Sequence, residues 1–276
     1  MTTLTTEKLA ATVGAEVVGA DCDRLLHDDA FPAWCLEALE ASGVLVFRGL
    51  HIDDETQVAF SKRLGRVEVF GKGERPEIFR VSLDPAKNPR ADYLRGTFDW
   101  HIDGATVDIP IMATVLSAHA VAESGGETEF ASTYAAYDDF TDDEKERYGR
   151  LRVVHSFEAA QRLAHSNPSP EELAKWQSGP SKEHPLVWRH ESGRRSLVIG
   201  ATASHVVGMG VDEGRSLLAD LLARATVPDR VFRHSWTVGD MVIWDNRGVL
   251  HRAAAYDTDS PREMLRTTVL GDEPIE

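Results

Sequence analysis

The sequence contains few cysteines and no long apolar run, and each absence excludes a class of protein. Cys22 and Cys35 are too few for a disulfide framework, and Cys35 falls in a helical pattern that predicts a buried thiol. No apolar run approaches the roughly 18 residues that a membrane-spanning helix needs. The chain also begins without the basic and then apolar order of a secretory signal peptide, so we expect a cytoplasmic protein.

Basic residues are scarce relative to acidic ones. The formal net charge is -15 and no block of lysine or arginine interrupts it, so phosphate backbones would repel the chain and we expect no nucleic-acid partner. The 42% of hydrophobic and 27% of charged residues are ordinary for a globular protein. A length of 276 residues lies at the upper end of what one hydrophobic core supports. We therefore expect one domain over residues 1–276.

Helix signals are clear at several places. Apolar periodicity and capping residues predict helices over 29–42, 54–64 and 212–225, and helices beginning at Thr141 and Ser169. In the 54–64 helix we interpret Gln57 as a capping-box partner. The polar, helical segment 157–182 is expected to cover one mouth of the fold as a substrate lid.

Short β-branched runs lie between these helices. The predicted strands are 44–47, 110–116, 151–155, 197–199, 231–236, 241–244 and 267–270. They do not alternate regularly with helices, so a doubly wound parallel sheet is not favoured. The pattern predicts a mainly β fold with helices (α+β), in the form of a barrel or a double-sheet jelly roll.

The tripeptide His-Ile-Asp occurs twice, at 51–53 and at 101–103. The first copy precedes a helix start, so its acidic residue is expected to cap that helix. The second copy has no helix to cap. Because residues i and i+2 of an extended strand point to the same face, His101 and Asp103 can both reach one ion.

A second histidine, His251, follows the predicted strand 241–244 in a glycine-containing turn. Two imidazoles and one carboxylate can hold one face of an Fe(II) ion and leave the opposite face open. The same set makes a catalytic zinc site, so the spacing alone leaves iron and zinc both open. Several other histidines have no carboxylate two positions later and are interpreted as surface or core residues: His155, His184, His190, His205 and His234.

Arg262 and Arg266 follow His251 closely and lie at the start of the last predicted strand. A guanidinium group pairs with a carboxylate through two parallel hydrogen bonds, which give both strength and orientation. Arginines in this position favour an anionic co-substrate beside the metal.

Four motifs of the chain are distinctive: Trp100-His101-Ile102-Asp103, Gly125-Gly126-Glu127-Thr128-Glu129-Phe130, Trp244-Asp245-Asn246-Arg247 with His251-Arg252-Ala253, and Arg262-Glu263-Met264-Leu265-Arg266-Thr267-Thr268. Together they resemble the iron(II)- and 2-oxoglutarate-dependent dioxygenases of the taurine and 2,4-dichlorophenoxyacetate dioxygenase (TauD/TfdA) family. The similarity runs from Gly43 to Asp272. It implies a double-stranded β-helix, or jelly roll, at the core.

The resemblance also implies roles for individual residues. His101, Asp103 and His251 match the iron ligands. Thr128 and Arg262 match the residues that hold the distal carboxylate of the 2-oxoglutarate co-substrate, which reacts with dioxygen. Arg266 matches the arginine that pairs with the anionic group of the substrate. Relatives are commonly homo-oligomers, so a dimer or tetramer is expected by analogy.

Two segments depart from the taurine enzymes. Those enzymes contact their substrate with His, Tyr and Asn from segments that align with 67–70 and 95–98, and none of the three residue types occurs there. The segments 127–130 and 184–187 are closer to the aryloxyalkanoate enzymes. The resemblance thus implies hydroxylation of a small organic carboxylate or sulfonate, aryloxyalkanoate-like, with C–O, C–N or C–S cleavage where the hydroxylated carbon bears the heteroatom. The aromatic residues expected beside the substrate body are Phe70, Phe98, Trp100 and Phe157.

Two alternative functions remain open at this point. A zinc-dependent hydrolase would need neither 2-oxoglutarate nor an arginine at position 262. A non-catalytic jelly-roll binding protein would tolerate changes at His101 or Asp103 without losing its ligand.

Overall fold

The computed structural model describes residues 3–276, apart from the side chains of residues 92 and 93. Its strands are β1 Thr5–Lys8, β2 Ala15–Val18, β3 Val44–Phe47, β4 Phe79–Val81, β5 Ile111–Ala120, β6 Thr128–Ser132, β7 Arg152–Ser156, β8 Ser181–Pro185, β9 Val187–Arg189, β10 Arg195–Leu197, β11 Ala203–Val206, β12 Val231–His234, β13 Met241–Asp245, β14 Val249–Ala253 and β15 Glu263–Leu270. Its α-helices are α1 Cys22–His27, α2 Phe31–Ser42, α3 Asp54–Leu64, α4 Thr133–Asp138, α5 Asp142–Tyr148, α6 Phe157–Ala164, α7 Pro170–Gln177 and α8 Val211–Ala225. The 3-10 helices are Ala91–Phe98 and Pro228–Arg230.

Two sheets pack face to face. The major sheet has the strand order β1-β2-β3-β13-β5-β15-β4, and the minor sheet has the order β12-β6-β14. A shared core of Val46, Leu116 and Val242 from the major sheet and Phe130 and Phe232 from the minor sheet fills the space between them. The fold is mostly sheet with helices on its outer faces, which confirms the predicted mainly β, double-sheet fold.

Alternation along the strands decides which side chains enter this interior. In β13, Val242 and Trp244 face the minor sheet, whereas Met241 and Ile243 pack against the layer of α1, α2 and α3. In β15, Met264 belongs to the interior. Arg266 lies two residues further on the same face.

Several element boundaries differ from the sequence prediction. The strand predicted at 197–199 lies at Arg195–Leu197. The elements that were not predicted are strands β1, β2, β4, β6, β8, β9, β11 and β14 and helices α1 and α4. The capping-box role of Gln57 is wrong, because Asp53 caps α3 by accepting from the amide of Thr56. Gln57 is instead buried, and its amide donates to the Leu265 carbonyl at 2.9 Å. The capping boxes that begin at Thr141 and Ser169 are confirmed.

The exclusions made from composition also have a structural counterpart. Within the range 3–276, the structure contains no helix that is both long and apolar enough to cross a bilayer. Cys22 and Cys35 are both free thiols. Cys35 is fully buried in the core, as predicted, and this burial raises the pKa of its thiol to about 12.

Asp53→Ala is expected to cost about 1 kcal/mol of unfolding free energy, because the N-cap hydrogen bond to the Thr56 amide at 2.8 Å is lost. The free energy should be measured by urea unfolding. Asp259→Ala, which changes an exposed aspartate in a loop, is the matched control and should leave it within a few tenths of a kcal/mol. Equal stabilities of the two variants would refute a capping role for Asp53.

Candidate metal centre and anion site

Backbone pairing brings two histidines together. The amide of His101 donates to the carbonyl of His251 and the amide of His251 donates back, both at 3.0 Å, in an isolated antiparallel bridge. The two imidazole rings therefore lie with their centroids 4.1 Å apart. The carboxylate oxygens of Asp103 lie 3.8 Å from His101 Nε2 and 3.6 Å from His251 Nε2. The ligand-capable atoms of all three residues lie within 4.8 Å of one another.

The three side chains come together for a different structural reason from the one predicted. His101 makes only a single bridge and Asp103 lies in a turn, so the extended strand expected over 101–103 is absent from the described fold. Gly104, with a φ of 87°, continues that turn. His251 lies within β14 rather than in a turn. The pairing of the chain around His101 with β14 replaces strand alternation as the cause of the cluster.

The protonation states suit a divalent cation. The carbonyl of Asp99 lies 2.8 Å from His101 Nδ1 and can only accept, so Nδ1 donates to it and Nε2 is the nitrogen directed at Asp103. Burial lowers the pKa of His251 well below its ordinary value, and the neighbouring His101 lowers it further. Burial alone would raise the pKa of Asp103, but Arg266 and the two histidines hold it at about 2. The site thus presents Nε2 of His101, a His251 imidazole that resists protonation and an ionised Asp103 carboxylate.

This donor set fits the metal that the sequence motifs imply. The separations of 3.6 and 3.8 Å are too long for hydrogen bonds between the histidines and the carboxylate. A cation placed among the three groups would satisfy all of them. Two imidazoles and one carboxylate form the facial set that non-haem Fe(II) takes, with further positions left for other ligands.

A chain of hydrogen bonds supports the carboxylate from the major sheet. The hydroxyl of Thr114 in β5 donates to Asp103 Oδ2 at 3.3 Å, and the buried amide of Asn246 donates to that hydroxyl at 3.0 Å. The indole of Trp244 donates to the Asn246 carbonyl oxygen at 3.1 Å. The Trp244-Asp245-Asn246-Arg247 motif therefore orients a candidate ligand through Asn246. Sequence reasoning missed Thr114, which no local pattern distinguishes from other strand threonines.

Arg262 is a buried cation without a counter-ion. It is 3% exposed, and no carboxylate of the described residues pairs with it. Its Nε donates to the Gly126 carbonyl at 3.2 Å and its Nη1 to the Tyr256 hydroxyl at 3.5 Å. Burial lowers its pKa. Because an unpaired buried charge is costly, this arrangement suits an anionic ligand that supplies the missing charge.

The same cavity contains Arg262, Thr128 and the two histidines. Thr128 is buried at the start of β6 and accepts a hydrogen bond from the Trp236 indole at 2.9 Å. The cavity is lined by Val81, Leu94, Thr97, His101, Leu116, Thr128, Trp244, His251, Ala253, Tyr256, Arg262 and Arg266. One cavity therefore contains three groups of candidate residues. The two imidazoles are candidates for metal binding, Arg262 and Thr128 for co-substrate binding, and Arg266 for substrate binding. Tyr256 was missed, because the loop that carries it shows no distinguishing pattern.

Gly126 makes room for the buried arginine. Its φ is 74°, and a Cβ atom added there would lie 2.9 Å from Arg262 Nε. A larger residue would both strain the backbone and displace the guanidinium. Gly126 of the second motif is therefore required by the close approach of Arg262, whereas a Cβ atom at Gly125 would meet the Ala255 carbonyl.

Arg266 lies between the metal centre and two aromatic rings. Its Nη1 donates to Asp103 Oδ2 at 3.3 Å and its Nε to the Thr268 hydroxyl at 3.2 Å. The guanidinium carbon lies 6.0 Å from the ring centre of Phe70 and 5.8 Å from that of Phe79. The arginine predicted to meet the substrate thus contacts a candidate metal ligand directly.

The four aromatic residues expected around the substrate are divided by the structure. Phe70 lies near Arg266. Phe98 packs edge-on against Tyr256, with the ring centroids 6.1 Å apart. Trp100 lines a different cavity, where the Arg252 guanidinium covers its ring at 4.7 Å. Phe157 lies against Gly179. Only the first two are therefore placed beside the cavity that contains the histidines.

The two His-Ile-Asp copies have different surroundings. Asp53 is the N-cap of α3, as predicted, and His51 adopts a positive φ of 50° beside Gly239. No metal-type cluster of three ligands includes either residue within the described part of the chain. The buried His155, His184, His190 and His234 likewise lie outside such a cluster among the described residues.

Comparison with known proteins places the chain in a family. The family model described as "Taurine catabolism dioxygenase TauD, TfdA family" matches residues 5–268. The chain is 40% identical to an alpha-ketoglutarate-dependent 2,4-dichlorophenoxyacetate dioxygenase of Burkholderia sp. (strain RASC) over 250 residues, which cover 84% of this chain and 83% of the relative. It is 35% identical to an (S)-phenoxypropionate/alpha-ketoglutarate-dioxygenase of Sphingobium herbicidovorans over 282 residues, covering 97% and 95%.

A solved structure agrees with these relatives. The crystal structure of AAD-2 in complex with Mn(II) and N-oxalylglycine superimposes with a TM-score of 0.83 at 32% identity, covering 99% of this chain and 100% of that one. The relatives support the dioxygenase interpretation and neither the zinc hydrolase nor the non-catalytic binding protein. The chain belongs to the TauD/TfdA family and is an Fe(II)- and 2-oxoglutarate-dependent dioxygenase.

Proposed function

We propose that the enzyme hydroxylates a small organic carboxylate of the aryloxyalkanoate type and so cleaves its ether bond. The observation that carries this proposal is one cavity that contains both histidines, Arg262 and Arg266. Arg262 has no carboxylate partner among the described residues, and Arg266 lies near an aromatic ring. The named activities of the relatives, on 2,4-dichlorophenoxyacetate and (S)-phenoxypropionate, support the same substrate class.

In this proposal His101, Asp103 and His251 hold the iron. Thr128 and Arg262 hold the distal carboxylate of 2-oxoglutarate, which fixes the co-substrate in one orientation. An Fe(II) ion held there supplies, with 2-oxoglutarate and dioxygen, the oxidation that converts a substrate C–H bond to C–OH and 2-oxoglutarate to succinate and carbon dioxide.

The other steps belong to the residues of the chain and to the substrate. The guanidinium of Arg266 binds the substrate carboxylate, while the rings of Phe70 and Phe79 contact its apolar body. Arg266 also keeps Asp103 ionised, with a pKa of about 2, so one side chain serves both the substrate and the metal ligand. A hydroxyl placed on the carbon that bears the ether oxygen yields a hemiacetal, which breaks to a phenol and a carbonyl compound.

The segment 157–182 is proposed to act as a lid within a single domain of residues 1–276. It contains α6 and α7, and the buried Gln161 of α6 lies against Gly96, in the same 3-10 helix as the cavity residues Leu94 and Thr97. Movement of α6 would therefore reach the cavity wall directly. We further propose a cytoplasmic homo-oligomer, a dimer or tetramer, with no nucleic-acid or membrane partner, in keeping with the net charge of -15.

The test is a substrate comparison with a matched neutral analogue. Succinate formation should be strongly stimulated by phenoxyacetate or 2,4-dichlorophenoxyacetate and weakly by taurine, and the chlorophenoxy substrate should release a chlorophenol. Phenoxyethanol has the ether but no carboxylate and should be a poor substrate. Equal turnover of phenoxyethanol and phenoxyacetate would refute recognition of the anion.

Arg266→Gln is expected to raise KM for phenoxyacetate by roughly 10- to 100-fold, since a charge-assisted pair contributes about 1.5–3 kcal/mol. The KM for 2-oxoglutarate should change far less. Fe(II) binding must be measured in the same variant, because Arg266 also contacts Asp103. A variant that keeps the wild-type KM for phenoxyacetate and a normal iron affinity would exclude Arg266 as the substrate anchor.

A further inference from the structure

We infer that Trp236 is a positioning residue that sets Thr128 as a hydrogen-bond donor to the distal carboxylate of 2-oxoglutarate. The inference rests on the proposed role of Thr128 and adds a residue to it. Trp236 follows β12, the minor-sheet strand whose His234 is paired in register with Thr128. Its indole Nε1 lies 2.9 Å from the Thr128 hydroxyl oxygen.

The direction of this hydrogen bond is not ambiguous. An indole N–H can only donate, so the Thr128 oxygen must accept. A hydroxyl has a single hydrogen, and that hydrogen is then free for a second partner. The structure contains no acceptor bonded to it among the described residues, and the cavity that Thr128 lines also contains Arg262. Thr128 and Arg262 consequently both offer hydrogen-bond donors to this cavity, which suits a carboxylate because a carboxylate only accepts.

The tryptophan is itself held in place from behind. The His234 ring packs perpendicular to the indole: the ring centres lie 4.4 Å apart and the angle between the ring planes is 89°. His234 Nε2 lies 3.4 Å from the buried carboxylate of Asp240. Asp240 also accepts from the Arg48 guanidinium at 2.8 Å and from the Thr237 amide at 3.0 Å. The indole orientation is therefore determined by packed and bonded groups rather than by Thr128 alone.

Trp236→Phe removes the N–H and keeps an aromatic ring. Without the indole donor, the Thr128 hydroxyl can rotate and its oxygen can compete for the donors of Arg262. We expect the Kd for 2-oxoglutarate to rise by about three- to tenfold, less than the roughly 10- to 100-fold that a whole hydrogen bond to a charged group contributes, because Thr128 keeps its hydroxyl and loses only its orientation. The kcat at saturating 2-oxoglutarate should be unchanged, because the reacting end of the co-substrate lies at the metal.

Two keto acids separate this role from a structural one. The Kd values are read anaerobically on the Fe(II) enzyme from the visible charge-transfer band of the chelate, and N-oxalylglycine binding to the Mn(II) enzyme is measured by calorimetry. 2-Oxopentanoate has the same chain length as 2-oxoglutarate but no distal carboxylate. Trp236→Phe should leave its Kd unchanged. Trp34→Phe, a half-buried tryptophan on α2, is the matched control and should alter neither ligand.

A double-variant cycle with Thr128→Val completes the test. If Trp236 acts through Thr128, the double variant should bind 2-oxoglutarate no more weakly than Thr128→Val alone. Additive effects, or equal weakening of 2-oxoglutarate and 2-oxopentanoate by Trp236→Phe, would overturn the inference. Failure of the proposed co-substrate site of Thr128 and Arg262 would look different: the wild-type enzyme itself would then not prefer 2-oxoglutarate over 2-oxopentanoate.

Discussion

Arg262→Ala is expected to weaken 2-oxoglutarate binding by about 100- to 10,000-fold, the largest effect of any co-substrate residue. The guanidinium can form two charge-assisted hydrogen bonds to the distal carboxylate, and each contributes about 1.5–3 kcal/mol. Alanine would leave the carboxylate buried against Tyr256 and Gly126 with no cation beside it. The loss should appear in the Kd from the anaerobic charge-transfer titration and in KM for 2-oxoglutarate.

Selectivity for the distal carboxylate gives the sharper readout. The wild-type enzyme should prefer 2-oxoglutarate strongly over 2-oxopentanoate, and in Arg262→Ala that preference should largely disappear. Arg150→Ala, which changes a surface arginine paired with Glu146, should preserve the preference. If Arg262→Ala still discriminates between the two keto acids as the wild type does, the distal carboxylate binds elsewhere.

Loss of folding is not expected to explain this result. Many buried arginines are paired with a carboxylate whose isolation destabilises the protein by several kcal/mol when the arginine is removed. No described carboxylate is paired with Arg262, so removal of the arginine leaves no buried negative charge without a partner. The groups left without a donor are the Gly126 carbonyl and the Tyr256 hydroxyl. A urea unfolding curve close to that of the wild type would support this account.

The features that could be predicted from the sequence are those determined by residues close together in the chain. The capping boxes at Thr141 and Ser169 were found because cap and partner are three residues apart. The strand at Met241–Asp245 was found because an unbroken apolar run marks a strand buried on both faces. The metal-binding candidates were found through residue types, spacing and resemblance to a family, and the structure brings all three into one cluster.

The features that could not be predicted depend on pairing between distant parts of the chain. The bond between Trp236 and Thr128 joins residues 108 positions apart, through the register of β12 on β6. The contact of Arg266 with Asp103 spans 163 positions. Gln57 shows the same limitation, since its position suggested a cap while its partner lies on β15. Local sequence patterns do not specify the pairing register between two strands. A shift of that register by one residue would turn each side chain of the strand to the opposite face of the sheet.

Asp103→Asn is expected to abolish turnover by removing metal binding while preserving the shape of the site. Asparagine has nearly the same volume and can still accept from Thr114, but it lacks the negative charge that Asp103 carries at every pH well above its pKa of about 2. Two neutral imidazoles and an amide bind Fe(II) far more weakly than a site with a carboxylate. The loss of affinity should exceed the roughly 10- to 100-fold that changes in supporting residues typically cause.

Metal affinity is best measured with Mn(II), a redox-stable analogue, by the decrease of the free-ion electron paramagnetic resonance signal. His101→Ala should lose binding in the same way. The chain supplies its own control, because Asp53 belongs to an identical His-Ile-Asp tripeptide and caps a helix. Asp53→Asn should bind Mn(II) like the wild type. If Asp103→Asn also did so, the cluster at His101 and His251 would not be the metal centre, since charge at Asp103 is what distinguishes it from an ordinary pair of packed histidines.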